Sequence, residues 1–149
     1  MNQKYFDIAF QMAEKAFEID EVPIGAVIVL NDQVIAKAYN HKEKDGCCTS
    51  HAEILAIQKA SKKLENWRLE DCDIYVTLDP CPMCASAIKQ ARIGHVFSAL
   101  SNSDSDNTDI IVKIFQKDRV NPEVFFQSNL AVDKSKKILN SFFEKQRNS

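Results

Sequence analysis

The stretch from Asp73 to Leu100 constrains the fold more than any other part of the chain. Asp73 to Leu78 is an apolar run of strand length, and Asp79-Pro80 looks like a helix N-cap followed by proline at the first helical position. A helix is therefore expected from Cys81 to about Arg92, and after Gly94 a second apolar run, Val96 to Leu100, reads as another strand. Strand, helix and strand in series pair in parallel through a right-handed crossover, which makes this an α/β chain.

The flanks extend that pattern. From Gln3 to about Ile19 the residues Phe6, Ala9, Phe10, Ala13, Ala16 and Phe17 recur at spacings of three and four, the stripe of a helix packed on one side. Ile24 to Leu30 and Gln33 to Tyr39, separated by Asn31-Asp32, read as a β-hairpin, and Gly25 in the first strand marks a close backbone approach. The residues from His51 onward favour helix, with Ser50 as its expected N-cap. Ser101 to Asp109 contains only Ser, Asn, Asp and Thr and reads as a flexible loop. Glu123 to Gln127 is a candidate last strand, and Leu130 to Arg147 a closing helix with Ile138, Leu139, Phe142 and Phe143 on one side. No repeat or linker divides the chain, so one domain over residues 1–149 is expected.

Composition narrows the class. The chain is 45% hydrophobic and 27% charged, which fits a soluble globular protein and argues against disorder or a membrane span. The first residues mix apolar with charged types, so no signal peptide is expected and the cytoplasm is the simplest location. An odd number of cysteines, five, suits reduced thiols better than a disulfide framework. A net charge of −2 gives no global attraction to long nucleic acid. A short stem-loop needs only a local basic face, which Lys134, Lys136, Lys137, Lys145 and Arg147 could supply, although a solvated face of a surface helix is the better reading of those charges taken alone.

The chemistry gathers at two helix starts. His51 opens one helix, and Cys81 and Cys84 open the other at a spacing that lets both sulfurs reach one ion. Helix N-termini favour negative charge, and so favour the thiolates that zinc requires. One His and two Cys leave a fourth tetrahedral position open, as a catalytic zinc needs and a structural zinc does not. Water acidified there needs a proton carrier, and Glu53, two residues after His51, is placed to serve without being a ligand. Taken singly, each feature has a structural explanation: a capping role for Glu53 behind Ser50, or a redox or structural pair in Cys-x-x-Cys. Together, His51-Ala52-Glu53 and Pro80-Cys81-Pro82-Met83-Cys84 match the H-x-E and P-C-x-x-C signature of zinc-dependent nucleobase deaminases. Cys72 is expected to be a buried residue before a strand, and burial is also expected for Cys47 and Cys48.

With those residues placed, the chain resembles the bacterial tRNA-specific adenosine deaminases of the cytidine deaminase-like superfamily. Beyond the zinc motifs the likeness includes Glu21-Val-Pro-Ile-Gly-Ala-Val, Asn40, Trp67-Arg-Leu, Tyr75-Val-Thr-Leu, Arg92-Ile-Gly and Phe142-Phe143. The resemblance implies a three-layer α/β/α sandwich around a mixed five-stranded sheet, one Zn2+ per subunit and a homodimer. It implies a tRNA anticodon stem-loop as partner and conversion of wobble adenosine to inosine. Asn40 and the backbone at Ala52 would then bind the target nucleotide, with Phe143 near the bound loop. Two segments depart from the family pattern: Asp79 stands where Glu is usual, and Ser101 to Asp109 replaces a stretch rich in Lys and Gly. The second departure bears on RNA contacts more than on chemistry. The main alternative is a deaminase of free bases or nucleosides of the guanine, cytosine or cytidine type. Another is a non-catalytic zinc-stabilised RNA-binding subunit, which would have no use for Glu53.

Overall fold

The computed structural model describes residues 1–102 and 105–148, with the backbone alone at Ser105. In chain order the elements are helix α1 (Gln3–Glu18), strands β1 (Gly25–Leu30) and β2 (Gln33–Tyr39), and the short helix α2 (Lys42–Asp45). Helix α3 (Ala52–Leu64), strand β3 (Cys72–Val76), helix α4 (Pro82–Gln90) and strand β4 (His95–Ser98) follow. Helix α5 (Ser105–Phe115), strand β5 (Phe125–Gln127) and helix α6 (Val132–Arg147) complete the chain.

The strands form one sheet in the order β2-β1-β3-β4-β5. β1 runs antiparallel to β2 and β3, while β3, β4 and β5 are mutually parallel, so the sheet is mixed as expected. Its register explains the layers. Ile28, Ile74 and Val96 lie in one row, and Val27, Tyr75 and Phe97 in the next, because side chains alternate between faces. The first row belongs to the core shared with Ala52 and Ala56 of α3 and Ile88 of α4, the second to the core shared with Phe6 and Phe10 of α1. Phe6 and Phe10 are essentially inaccessible to solvent, and burial of each contributes about 1.5–3 kcal/mol. Helices thus cover both faces, giving the three-layer α/β/α sandwich of the cytidine deaminase-like fold.

Local signals explain much of this. Asn31 and Asp32 both have positive φ, 51° and 60°, the backbone of a tight two-residue hairpin turn. A Cβ at Gly25 would collide with the Ala9 carbonyl of α1, so only glycine lets this helix lie so close to β1.

The structure corrects several expectations. Ser105 to Asp109, read as loop, begins α5, whose Ile111 and Phe115 are buried; residues 103 and 104 lie outside the described set. α4 starts at Pro82 with Cys81 as its N-cap, and α3 starts at Ala52 with His51 as its N-cap, so neither Asp79 nor Ser50 caps a helix. β5 is shorter than expected, and on α6 Phe142 is buried while Phe143 is 46% exposed. Among the described residues no helix is long and apolar enough to cross a membrane.

Candidate active site

The cysteines at positions 81 and 84 meet His51 at the start of α3. Nδ1 of His51 lies 3.7 Å from Cys81 Sγ and 3.5 Å from Cys84 Sγ, and the three donor atoms fall within 4.8 Å of one another. A tetrahedral zinc with bonds of about 2.3 Å to sulfur and about 2.0 Å to nitrogen spaces S and N by about 3.5 Å, so this donor set fits that ion.

Two of the three donors sit at N-cap positions, where Ser, Thr, Asp or Asn would contribute about 1 kcal/mol by capping. Neither the His51 nor the Cys81 side chain makes a capping hydrogen bond. Both helices forgo that stabilisation, and both side chains point instead at their shared centre. The hydrogen bond between the two sulfurs pushes them in opposite directions. A hydrogen bond from the Cys84 thiol, helped by the first-turn amide of Cys84 and the charge of His51, pulls Cys81 down to about 5. The same bond, together with burial, holds Cys84 far above the usual thiol range. A zinc ion held here would take both sulfurs as thiolates.

Glu53 stands in the first turn of α3 and is 4% exposed. Burial pushes its carboxyl up to about 7, with the charge on Cys81 adding to the effect. A group poised there releases and accepts protons at neutral pH, the property a general acid-base residue needs.

These residues open onto a cavity of about 210 Å³, whose lining includes Asn40, His51, Ala52, Glu53, Leu78 and Cys81. Asn40 is itself tied down: its amide donates to the Val22 carbonyl at 3.3 Å and its Oδ1 accepts from the Lys42 amide at 3.1 Å. Phe143 is not among the lining residues. It sits on the exposed side of α6 against Phe142, which in turn packs edge-on with Phe17 of α1. Cys72 is buried as expected, whereas Cys47 and Cys48 are exposed, a correction explained by their place in the loop after α2, outside both cores.

One contributor escaped the sequence reading in its structural role. Glu21 is 1% exposed, and its carboxylate accepts the amides of Glu43 at 2.9 Å and Lys44 at 2.6 Å. It supplies the capping that His41 does not give α2, and so fixes the wall of the cavity from a distant segment. An isolated Glu before a strand carries no local sign of such a partner. Asp79, also in the lining, accepts from the Ser128 hydroxyl at 2.5 Å and lies two residues before Cys81, the N-cap of α4.

Comparisons with known proteins agree with this geometry. The family model for MafB19-like deaminases matches residues 1–147. The tRNA-specific adenosine deaminase of Bacillus subtilis is 36% identical over 146 residues, covering 98% of this chain and 91% of that protein. Its counterpart from Aquifex aeolicus is 38% identical over 151 residues, covering 100% and 99%. A structure solved in a study of A-to-I editing by tRNA:A34 deaminases superimposes with a TM-score of 0.85 at 37% identity, covering 93% of this chain and 100% of that one. A guanine deaminase from Bacillus subtilis follows at a TM-score of 0.67 and 30% identity, covering 100% and 96%. Fold, donor cluster and near full-length likeness converge, and the chain belongs to the family of the tRNA-specific adenosine deaminases.

Proposed function

We propose that this protein is a hydrolytic deaminase that converts adenosine to inosine at the wobble position of a tRNA anticodon. The observation that carries the reading is the buried Glu53 carboxyl at the cavity wall, beside the converging donors of His51, Cys81 and Cys84. The higher identity and TM-score toward the tRNA deaminases than toward the guanine deaminase favour this substrate over a free base.

His51, Cys81 and Cys84 would hold one zinc ion per subunit, which when bound would supply the Lewis acidity that makes water a nucleophile at neutral pH. Glu53 takes a proton from the attacking water and delivers it to the ring nitrogen of adenine. It then carries a second proton to the departing amine, so water and adenosine give inosine and ammonia. Asn40 and the backbone at Ala52 orient the base against Glu53 in this cavity. The C-terminal helix with Phe143 lies along the anticodon loop, and the working form is a cytoplasmic homodimer.

The test offers purified protein an anticodon stem-loop carrying adenosine 34 in parallel with free adenosine, cytidine and guanine, and measures the deaminated products. Inosine in the stem-loop alone is the expected result. Product from free guanine or cytidine and none from RNA would reassign the chain to the free-base deaminases.

A further inference from the structure

We propose that Lys42 binds a phosphate that adjoins the target nucleotide, and that this contact makes the enzyme favour a polynucleotide over a free nucleoside. The inference deepens the reading of an RNA substrate and rests on it. It begins with size. The cavity, about 210 Å³, falls below the range of about 300–1,000 Å³ that encloses whole drug-sized ligands. It takes a base and little more, so the sugar-phosphate chain of a bound RNA stays at the mouth.

Charge decides which side of that mouth the phosphates meet. Asp79 and Glu53 place two acids in the lining, and each repels a phosphate whenever it is ionised. Lys42 is the one Lys or Arg among the described residues of the lining, and it is exposed. Other lysines are committed to the protein itself: Lys89 to Gln116 and Asp118, Lys59 to the Lys37 carbonyl, Lys145 to Asp20.

The backbone beneath Lys42 is held on both sides. Its amide donates to Asn40 Oδ1, and the next two amides, of Glu43 and Lys44, end on the buried carboxylate of Glu21. The backbone that carries Lys42 is therefore already fixed, so the entropy lost on pairing with a phosphate is confined to its side chain. The bond between Asn40 and Lys42 also sets the distance between the residue proposed to orient the base and the cation proposed to hold the chain.

The test uses the full-length protein with Lys42→Gln and Lys42→Arg. Each is given the adenosine-34 stem-loop between 50 and 200 mM salt, with zinc content and melting temperature measured alongside. A phosphate contact is a ground-state interaction, so Lys42→Gln is expected to raise KM about threefold to tenfold while kcat holds. It is also expected to flatten the dependence of log(kcat/KM) on log salt by about one, and Lys42→Arg to restore both. Neutral methylphosphonates are then placed one at a time on the two phosphates flanking adenosine 34. With wild-type protein one of them is expected to reproduce the loss seen in Lys42→Gln, and with Lys42→Gln that same substitution is expected to add nothing. Losses that add at both phosphates, or a Lys42→Gln variant with unchanged KM and salt slope, would overturn the proposal. The wild-type rate on the unmodified stem-loop tests the underlying reading separately.

Discussion

Two segments border the same cavity and carry two cysteines each, and they have opposite characters. Residues 77–84 leave the central strand β3 and are tied to distant parts of the framework at Thr77 and Asp79. Thr77 accepts from the Gly25 amide at 3.1 Å and its carbonyl from the Ser135 hydroxyl at 2.5 Å, while the Asp79 amide donates to Leu100 at 2.9 Å. Residues 40–50 instead close mostly on themselves, His41 on Ser50 and Cys47 on Lys42, are joined to the framework through Asn40 and Glu21, and leave Cys47 and Cys48 exposed. Adjacent cysteines do not make a metal centre. A framework rigid enough to aim two sulfurs at one imidazole does, because a structural or catalytic ion tolerates errors of only a few tenths of an ångström in its donors.

The contrast predicts an ordered series of effects. Cys84→Ala, on the rigid side, is expected to abolish zinc retention and deamination together, read by metal analysis and by inosine formation. Normal zinc in that variant would break the comparison at its foundation. Next comes Glu53→Gln, which leaves the donors intact: zinc stays and kcat falls by about 10²–10⁴-fold, the contribution of a general acid-base group.

The same variant has a stability signature in the metal-free protein. The folded Glu53 value of about 7 lies above the ordinary 4.5, so the folded chain keeps a proton that the unfolded chain has released. Stability from this group is full below about pH 4.5, is lost as pH rises to about 7 and stays level above that. At pH 8 metal-free Glu53→Gln should therefore unfold at higher denaturant than metal-free wild type, by up to about 3 kcal/mol, and the gap should close toward pH 4. An equal gap at both pH values would contradict the burial of a charge at this position.

On the other wall, Glu21→Gln weakens the clamp on α2 by replacing one carboxylate acceptor with an amide donor, at a cost of about 1–3 kcal/mol. KM for the stem-loop should rise with zinc content unchanged, since Lys42 and Asn40 lose their fixed support. A drop in zinc would mean that the two walls are one structural unit. The smallest effect belongs to Cys47→Ser and Cys48→Ser. Both should keep wild-type zinc and turnover, with stability within about 0.5 kcal/mol.

Much of this was legible in the chain. The hairpin around Asn31-Asp32, the stripe of α1 and the order β3-α4-β4 all rest on local periodicity and turn chemistry, which neighbours in sequence carry by themselves. α5 was not legible. Ser, Asp, Asn and Thr are poor helix formers, and the helix exists because Ile111 and Phe115 bury against the core. The N-caps were misplaced by one and two residues: Ser50 and Asp79 have the chemistry of caps, but His51 and Cys81 occupy those positions, and Asp79 Oδ1 is bonded to Ser128, 49 residues away.

The sequence alone determined the donor types and their spacing, and with them the ion they suit. The motif also named Cys81 and Cys84 as the sulfurs that meet His51; which acid closes the opposite wall, and at what distance the three donors meet, only the tertiary structure decided. Cys81 and Cys84 lie 30 and 33 residues from His51, and Glu21 lies 22 and 23 residues from the amides it holds. Local pattern encodes the period of a strand or helix. It does not encode the order in which strands pair, and that order sets every one of these long-range meetings.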